Sequence, residues 1–226
     1  MVKAWDAYRT KAEMYEKMYM RIRNVCGLLG VILPWLALFS AGIAEHPSNE
    51  WWWSISATYY QSPALVGVLV PASIVLISYI GYTAVDDWIT GLSGVFGLGI
   101  VLFPCQVSWI EESTRVGFFQ LPIETSNILH MICASAFFFL LAYNSIFLFT
   151  RTNKEGNMTE RKKLRNKIYK GCGWGMIGLE VLFVLLAVTP APGYCTMITE
   201  IILLFLFGMS WLVKGDFFPC FRDKEE

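Results

Sequence analysis

The sequence predicts an all-α polytopic membrane protein: a bundle of six transmembrane helices, an amphipathic helix at the N-terminus, and both termini in the cytoplasm. Three observations predict it. The 226-residue chain is 55% hydrophobic and only 16% charged, with a mean hydropathy of +0.49, whereas an ordinary soluble domain is about a quarter charged. Six runs approach or exceed the roughly 20 apolar residues that a helix needs to cross the hydrocarbon. Finally, all but one of the 18 lysines and arginines fall on segments that six crossings would place on the same side.

The elements follow in chain order. Residues 1–23 carry Trp5, Tyr8, Ala12, Tyr15, Tyr19 and Ile22 at alternating steps of three and four. That is one stripe of a helix with charges on its other face. It reads as an amphipathic helix on the inner leaflet; a cytoplasmic helix–helix seam is the competing reading, since the steps also fit a heptad. Residues 24–214 form the transmembrane domain, with spans expected at Asn24–Ala44, Gln61–Ala84, Trp88–Cys105, Asn127–Thr150, Gly171–Thr189 and Thr196–Lys214. Residues 215–226 are a short polar tail. Pro34 and Pro71 lie mid-span and each removes a backbone donor. Gly91, Gly94, Gly97 and Gly99 in span three, and Gly171, Gly175 and Gly178 in span five, mark expected packing faces. Gly171 and Gly175 also form a GxxxG pair. No cleavable leader is evident ahead of the first apolar run.

Charge sets the orientation. The N-terminal segment holds Lys3, Arg9, Lys11, Lys17, Arg21 and Arg23, the loop 151–170 is rich in lysine and arginine, and the tail adds more. The opposite side has only Arg115. The positive-inside rule then puts both termini in the cytoplasm, and the expected location is a plasma membrane of bacterial type. The basic loop reads as a flank touching anionic lipid headgroups, not as a nucleic-acid patch, so no nucleic acid is expected. The N-terminal helix and the loop 151–170 are the natural handles for a cytoplasmic partner, and a homo-oligomer is compatible with the small-residue faces.

The outer loops are unusual. The first contains "WWWSISATYYQSP", residues 51–63, aromatic and uncharged. Tryptophan and tyrosine favour the membrane–water boundary, being apolar at one end and hydrogen-bonding at the other. The second, Gln106–Ser126, includes "WIEESTRVGFFQLP" and is expected to cover part of the outer mouth of the bundle. Cys105 and Cys195 fall at outer ends of spans, so a disulfide is geometrically open to them in an oxidising compartment. The Asn157-Met158-Thr159 sequon lies on the cytoplasmic side and is expected to stay silent.

Ionisable groups inside a bilayer are expensive, so each is a site hypothesis. Glu180 is expected near the middle of span five, as a structural hydrogen-bonding group or, with Asn144, part of an ion path. Glu200 and His130 are expected at similar depth near the outer ends of spans six and four, with Glu200 orienting His130 by hydrogen bond. Ser54, Ser56, Tyr59 and Tyr60 enter at the same level. Serine, histidine and glutamate are the residue types of an activated nucleophile, but the spacing matches no nucleophile elbow. Six cysteines and only two histidines, His46 and His130, follow no metal spacing, so neither a metal nor another cofactor is expected. At the inner turn "GYTAVDD", one of Asp86 and Asp87 is expected to cap span three, the other to pair with Arg21, Arg23 or Lys214.

The stretches "SISATYY", "GYTAVDD", "HMICASAFFFLLAY" and "EIILLFLFGMSWLVKG" give the chain a resemblance to the six-span DRAM/Frag-type families and their uncharacterised bacterial relatives. That resemblance implies lipid handling, lipid-anchor remodelling or membrane homeostasis, and singles out Ser56, Tyr59 and His130. Zinc-dependent membrane hydrolases of the ceramidase type use three histidines, which this chain lacks. The expected function is binding or processing of a lipid or other amphiphile at the outer leaflet through Ser56, Tyr59, Tyr60, His130 and Glu200. The alternatives are an ion or proton channel using Glu180, and a non-catalytic membrane subunit or sensor.

Overall fold

A computed structural model describes residues 11–43, 53–151, 158–187 and 194–222. They form an all-α structure with five helices long and apolar enough to cross a membrane and a sixth, shorter apolar helix. Helix α1 (Lys11–Ile43) runs unbroken for 33 residues, about 50 Å at 1.5 Å per residue. The expected boundary at residue 23 is therefore absent: from residue 11 onward the amphipathic segment is the first part of the same helix. Trp5 and Tyr8 lie outside the described residues, as do Trp51, Trp52 and His46.

Helix α2 (Ala64–Ile77) has 14 residues, or about 21 Å, so it ends well before the expected Ala84. The cause is local. The amides of Gly81 and Tyr82 are taken by the carboxylates of Asp87 (2.6 Å) and Asp86 (2.9 Å), which compete with helical carbonyls for those donors. Thr83 then caps helix α3 (Ala84–Leu102) in a reciprocal box with Asp86. That cap starts α3 a turn earlier than expected. Pro104 stops it short of Cys105, because the residue before a proline is steered away from helix. A two-stranded antiparallel hairpin, β1 (Arg115–Val116) and β2 (Leu121–Pro122), leads into helix α4 (Ile123–Tyr143), which ends in a π turn over Asn144–Leu148. Helix α5 (Glu160–Ala187) carries its polar N-terminal turns beyond the expected span. Helix α6 (Tyr194–Lys214) lies almost as expected.

Each helix packs on its neighbours in chain order and α6 closes back on α1, so the six make a ring. Helices α4 and α6 also touch across its interior. Helix α2 runs antiparallel to α1 over most of its length: Ser62 Oγ meets Ser40 Oγ at 2.6 Å at one end, and Tyr79 Oη accepts from Arg23 at 2.9 and 3.1 Å at the other. The backbones of α1 and α6 approach closely at Gly27 and Gly208, where a Cβ on either would stand under 3.0 Å from the other's carbonyl oxygen. Gly94 and Gly173 serve the same purpose on α3 and α5. The expected GxxxG face does not: Gly171 and Gly178 have no neighbour within 4 Å of a built Cβ, and Gly175 meets only the tip of Leu206.

The basic end of the ring is filled. Trp211, fully buried, packs edge-on against Tyr79 and Phe149, both at 5.3 Å. Lys162 and Lys214 both donate to the Phe149 carbonyl at 3.3 Å. Asp86, the carboxylate that caps α3, also pairs with Arg151 at 3.1 Å, and Asp87, expected to pair with Arg21, Arg23 or Lys214, accepts the Gly81 amide at 2.6 Å instead. The described part of the tail is tied to α5: Arg165 donates to the Phe221 carbonyl at 2.6 Å.

Candidate functional site

At the opposite end, Glu200 on the second turn of α6 gathers the segment that precedes α2. A 3-10 turn over Ser56–Tyr60 begins there, closed by Thr58 N–H and Thr58 Oγ1 donating to the Ile55 carbonyl at 3.1 and 2.6 Å. That fold turns the Ile55 amide outward, where it donates to Glu200 Oε2 at 2.5 Å. Ser54 Oγ donates at 2.9–3.0 Å to both carboxylate oxygens, and Ser56 Oγ donates to Oε1 at 3.0 Å. An ionised carboxylate is acceptor-only and suits such a set of donors.

His130 on α4 is buried and has a different partner. Helix α3 stops at Leu102, so its last carbonyls lack amide donors. His130 Nδ1 meets two carbonyls there, Phe103 at 2.8 Å and Ile100 at 3.2 Å, while Ser126 Oγ takes that of Pro104 at 2.8 Å. Carbonyl oxygens only accept, so Nδ1 carries the proton. That leaves Nε2 as the nitrogen for an occupant of the site.

These groups wall a two-chambered hollow. The outer chamber, about 450 Å³, is lined by Trp53, Trp109, Gln106 and Asn127 among others. The inner one, about 70 Å³, has mainly apolar walls such as Leu33, Leu69, Phe137 and Leu203. Ser56, His130, Met131, Phe183 and Glu200 line both chambers and form the collar between them. Glu180, buried, stands on the inner wall together with Ser135.

The structure thus brings Ser56, His130 and Glu200 together, as the sequence suggested, and separates others from them. Glu200 does not orient His130: its oxygens face the Ser54–Ser56 segment, and His130 caps α3. Tyr60 Oη donates to the Cys105 carbonyl at 2.8 Å, and Tyr59 packs edge-on against Tyr60 at 5.1 Å; neither lines the hollow. Burial raises the Tyr60 phenol above its ordinary range and pushes the Cys105 thiol up to about 12. Cys105 and Cys195 are both free thiols. Asn144 sits in the π turn and accepts from Thr90 at 3.2 Å, away from both chambers, so it does not continue a path from Glu180. Both serine hydroxyls give their protons to Glu200, which is the arrangement of a binding wall, not of a histidine-activated nucleophile. Sequence reasoning missed Met131, Ser135 and Phe183. A signal existed: Met131 and Ser135 are four apart on one helix, and Phe183 follows Glu180 by three, so each shares a face.

The architecture and this hollow define the class: an all-α protein with helices suited to cross a membrane, and a polar-rimmed chamber between them at one end. Comparison with protein-family models, with curated proteins and with solved structures finds no match.

Proposed function

We propose that the chain crosses the membrane six times with its basic end in the cytoplasm, and that it binds or processes a lipid or other amphiphile in the hollow at the outer leaflet. One observation carries the binding: the hollow grades from a rim of tryptophan, amide and serine groups, through the His130–Glu200 collar, to a mainly apolar interior interrupted by Glu180 and Ser135. An amphiphile has the same gradient, and each part of it would meet its own kind. The crossing number is supported by the residues flanking α2, since Ser62 and Tyr79 meet Ser40 and Arg23 of α1 despite the short helical core between them. Lipid handling is also what the resemblance to the DRAM/Frag-type families implies.

The test is photo-crosslinking with a phospholipid bearing a diazirine near its headgroup, in nanodiscs, mapped by peptide mass spectrometry. Adducts are expected on Met131 and Phe183, and their yield is expected to fall at least about tenfold in Met131→Trp, which fills the collar. Adducts confined to outward-facing residues such as Phe39 and Trp88, with none at the collar, would overturn the reading.

A further inference from the structure

The walls of the hollow are acidic, and among the described residues no lysine or arginine lines them. Glu200 stands in the collar and Glu180 on the inner wall. The stretches that precede Trp53 and Tyr194 in the chain, 44–52 and 188–193, contain no lysine or arginine. The segments expected at this end carry Glu45, Glu50, Glu111, Glu112 and Glu124 against a single cation, Arg115. That arginine donates to the Gln120 carbonyl at 3.1 Å, across the hairpin. The three donors around Glu200, Ser54 Oγ, Ser56 Oγ and the Ile55 amide, are neutral. They satisfy its lone pairs without cancelling its charge. A carboxylate in a low-dielectric wall without a countercharge is costly, and a cleft lined by one sign of charge concentrates the opposite sign.

Two indoles complete the picture. Trp53 and Trp109 line the outer chamber together with Glu200. Aromatic faces attract cations, and do so best for organic ammonium groups, which have little competing hydration. A bare divalent ion fits less well. It needs several oxygen ligands at one point, and among the described residues no group of three or more Asp, Glu, His or Cys could hold one. The outer chamber, at about 450 Å³, has room for far more than an ion.

The geometry points to an amphiphile bearing an ammonium group, primary or quaternary, as the occupant: the cation lies between Glu200 and the indoles of Trp53 and Trp109, and the first methylenes lie against Met131 and Phe183. A primary ammonium donates one N–H to His130 Nε2, and the Glu200 carboxylate attracts its charge. This inference rests on the amphiphile reading above and narrows it to one charge class.

The experiment uses the full chain in dodecyl maltoside, a neutral detergent, at pH 7. Dodecylamine, dodecyltrimethylammonium, dodecanol and dodecanoate are added at equal micellar mole fraction, and the thermal unfolding midpoint is followed. At this pH the amine is cationic and the carboxylate anionic. The two ammonium probes are expected to raise the midpoint half-maximally at a mole fraction about tenfold lower than dodecanol does, and dodecanoate to bind weakest. Glu200→Gln is expected to bring the four close to parity. Because Glu200 also holds the Ser54–Ser56 segment, Trp109→Leu is the second variant; it leaves that network alone and is expected to lower the quaternary preference at least about threefold.

Equal responses to all four probes would overturn the ammonium assignment and leave amphiphile binding standing. No response to any would overturn both. Ethylamine and tetramethylammonium acting at the concentrations of their long-chain counterparts would keep the cation site but assign it to a soluble amine. Sodium chloride alone giving the full shift would overturn an organic ligand altogether.

Discussion

The two ends of the bundle are built from similar materials and put to opposite uses. At the basic end, Arg23, Lys162 and Lys214 find a phenol or a carbonyl, Asp86 finds Arg151, and Trp211 fills the space between them. At the glutamate end, Glu200 and His130 find neutral partners too, yet the space between them stays open. Polar groups alone therefore do not make a site. The difference is that the collar residues point their bonds at the walls and leave room in the middle, whereas the basic end spends its aromatic side chains on closing the middle.

The comparison can be broken most violently where the backbones touch. Gly208→Leu puts a side chain against the Gly27 carbonyl, which cannot yield as a flexible side chain would. The expected outcome is loss of monodisperse protein on gel filtration in detergent, while Gly178→Leu, facing open space, behaves as the parent. A smaller effect tests whether the basic end is held by its polar bonds. Tyr79→Phe leaves the buried Arg23 guanidinium without its acceptor and is expected to cost about 1–3 kcal/mol in reversible unfolding. Filling the middle at each end then sharpens the contrast. Leu76→Phe, at a fully buried position, is expected to cost about 1–3 kcal/mol by overpacking, whereas Met131→Phe in the collar stays within about 1 kcal/mol of the parent. The smallest effect is Arg151→Ala. Its side chain is 42% exposed where it meets Asp86, so its loss is expected to cost under about 1 kcal/mol, shrinking further with added salt.

Much of this was legible in the sequence. Six apolar runs became six packed helices, five of them long enough to span. Ser56, His130 and Glu200 surfaced because ionisable and polar groups stand out against apolar neighbours, and because helical rise assigns each a depth. Depth is not direction, however. Tyr59 and Tyr60 share the level of the site, yet Tyr60 is turned toward the Cys105 carbonyl by the short turn it sits in. Likewise Gly171 and Gly175 fit a packing motif, but which stripe of α5 meets a neighbour depends on how the ring closes, and it closes on Gly173.

The sequence by itself determined the all-α class and the approximate positions of the apolar helices, because hydrocarbon length and backbone hydrogen bonding leave an apolar run few choices. Only the tertiary structure decided which polar atoms are partners. His130 caps carbonyls left over where α3 ends before Pro104, and Glu200 gathers an amide that the turn ahead of α2 exposes. Those donors and acceptors lie far apart along the chain, and they meet only once six helices have packed side by side.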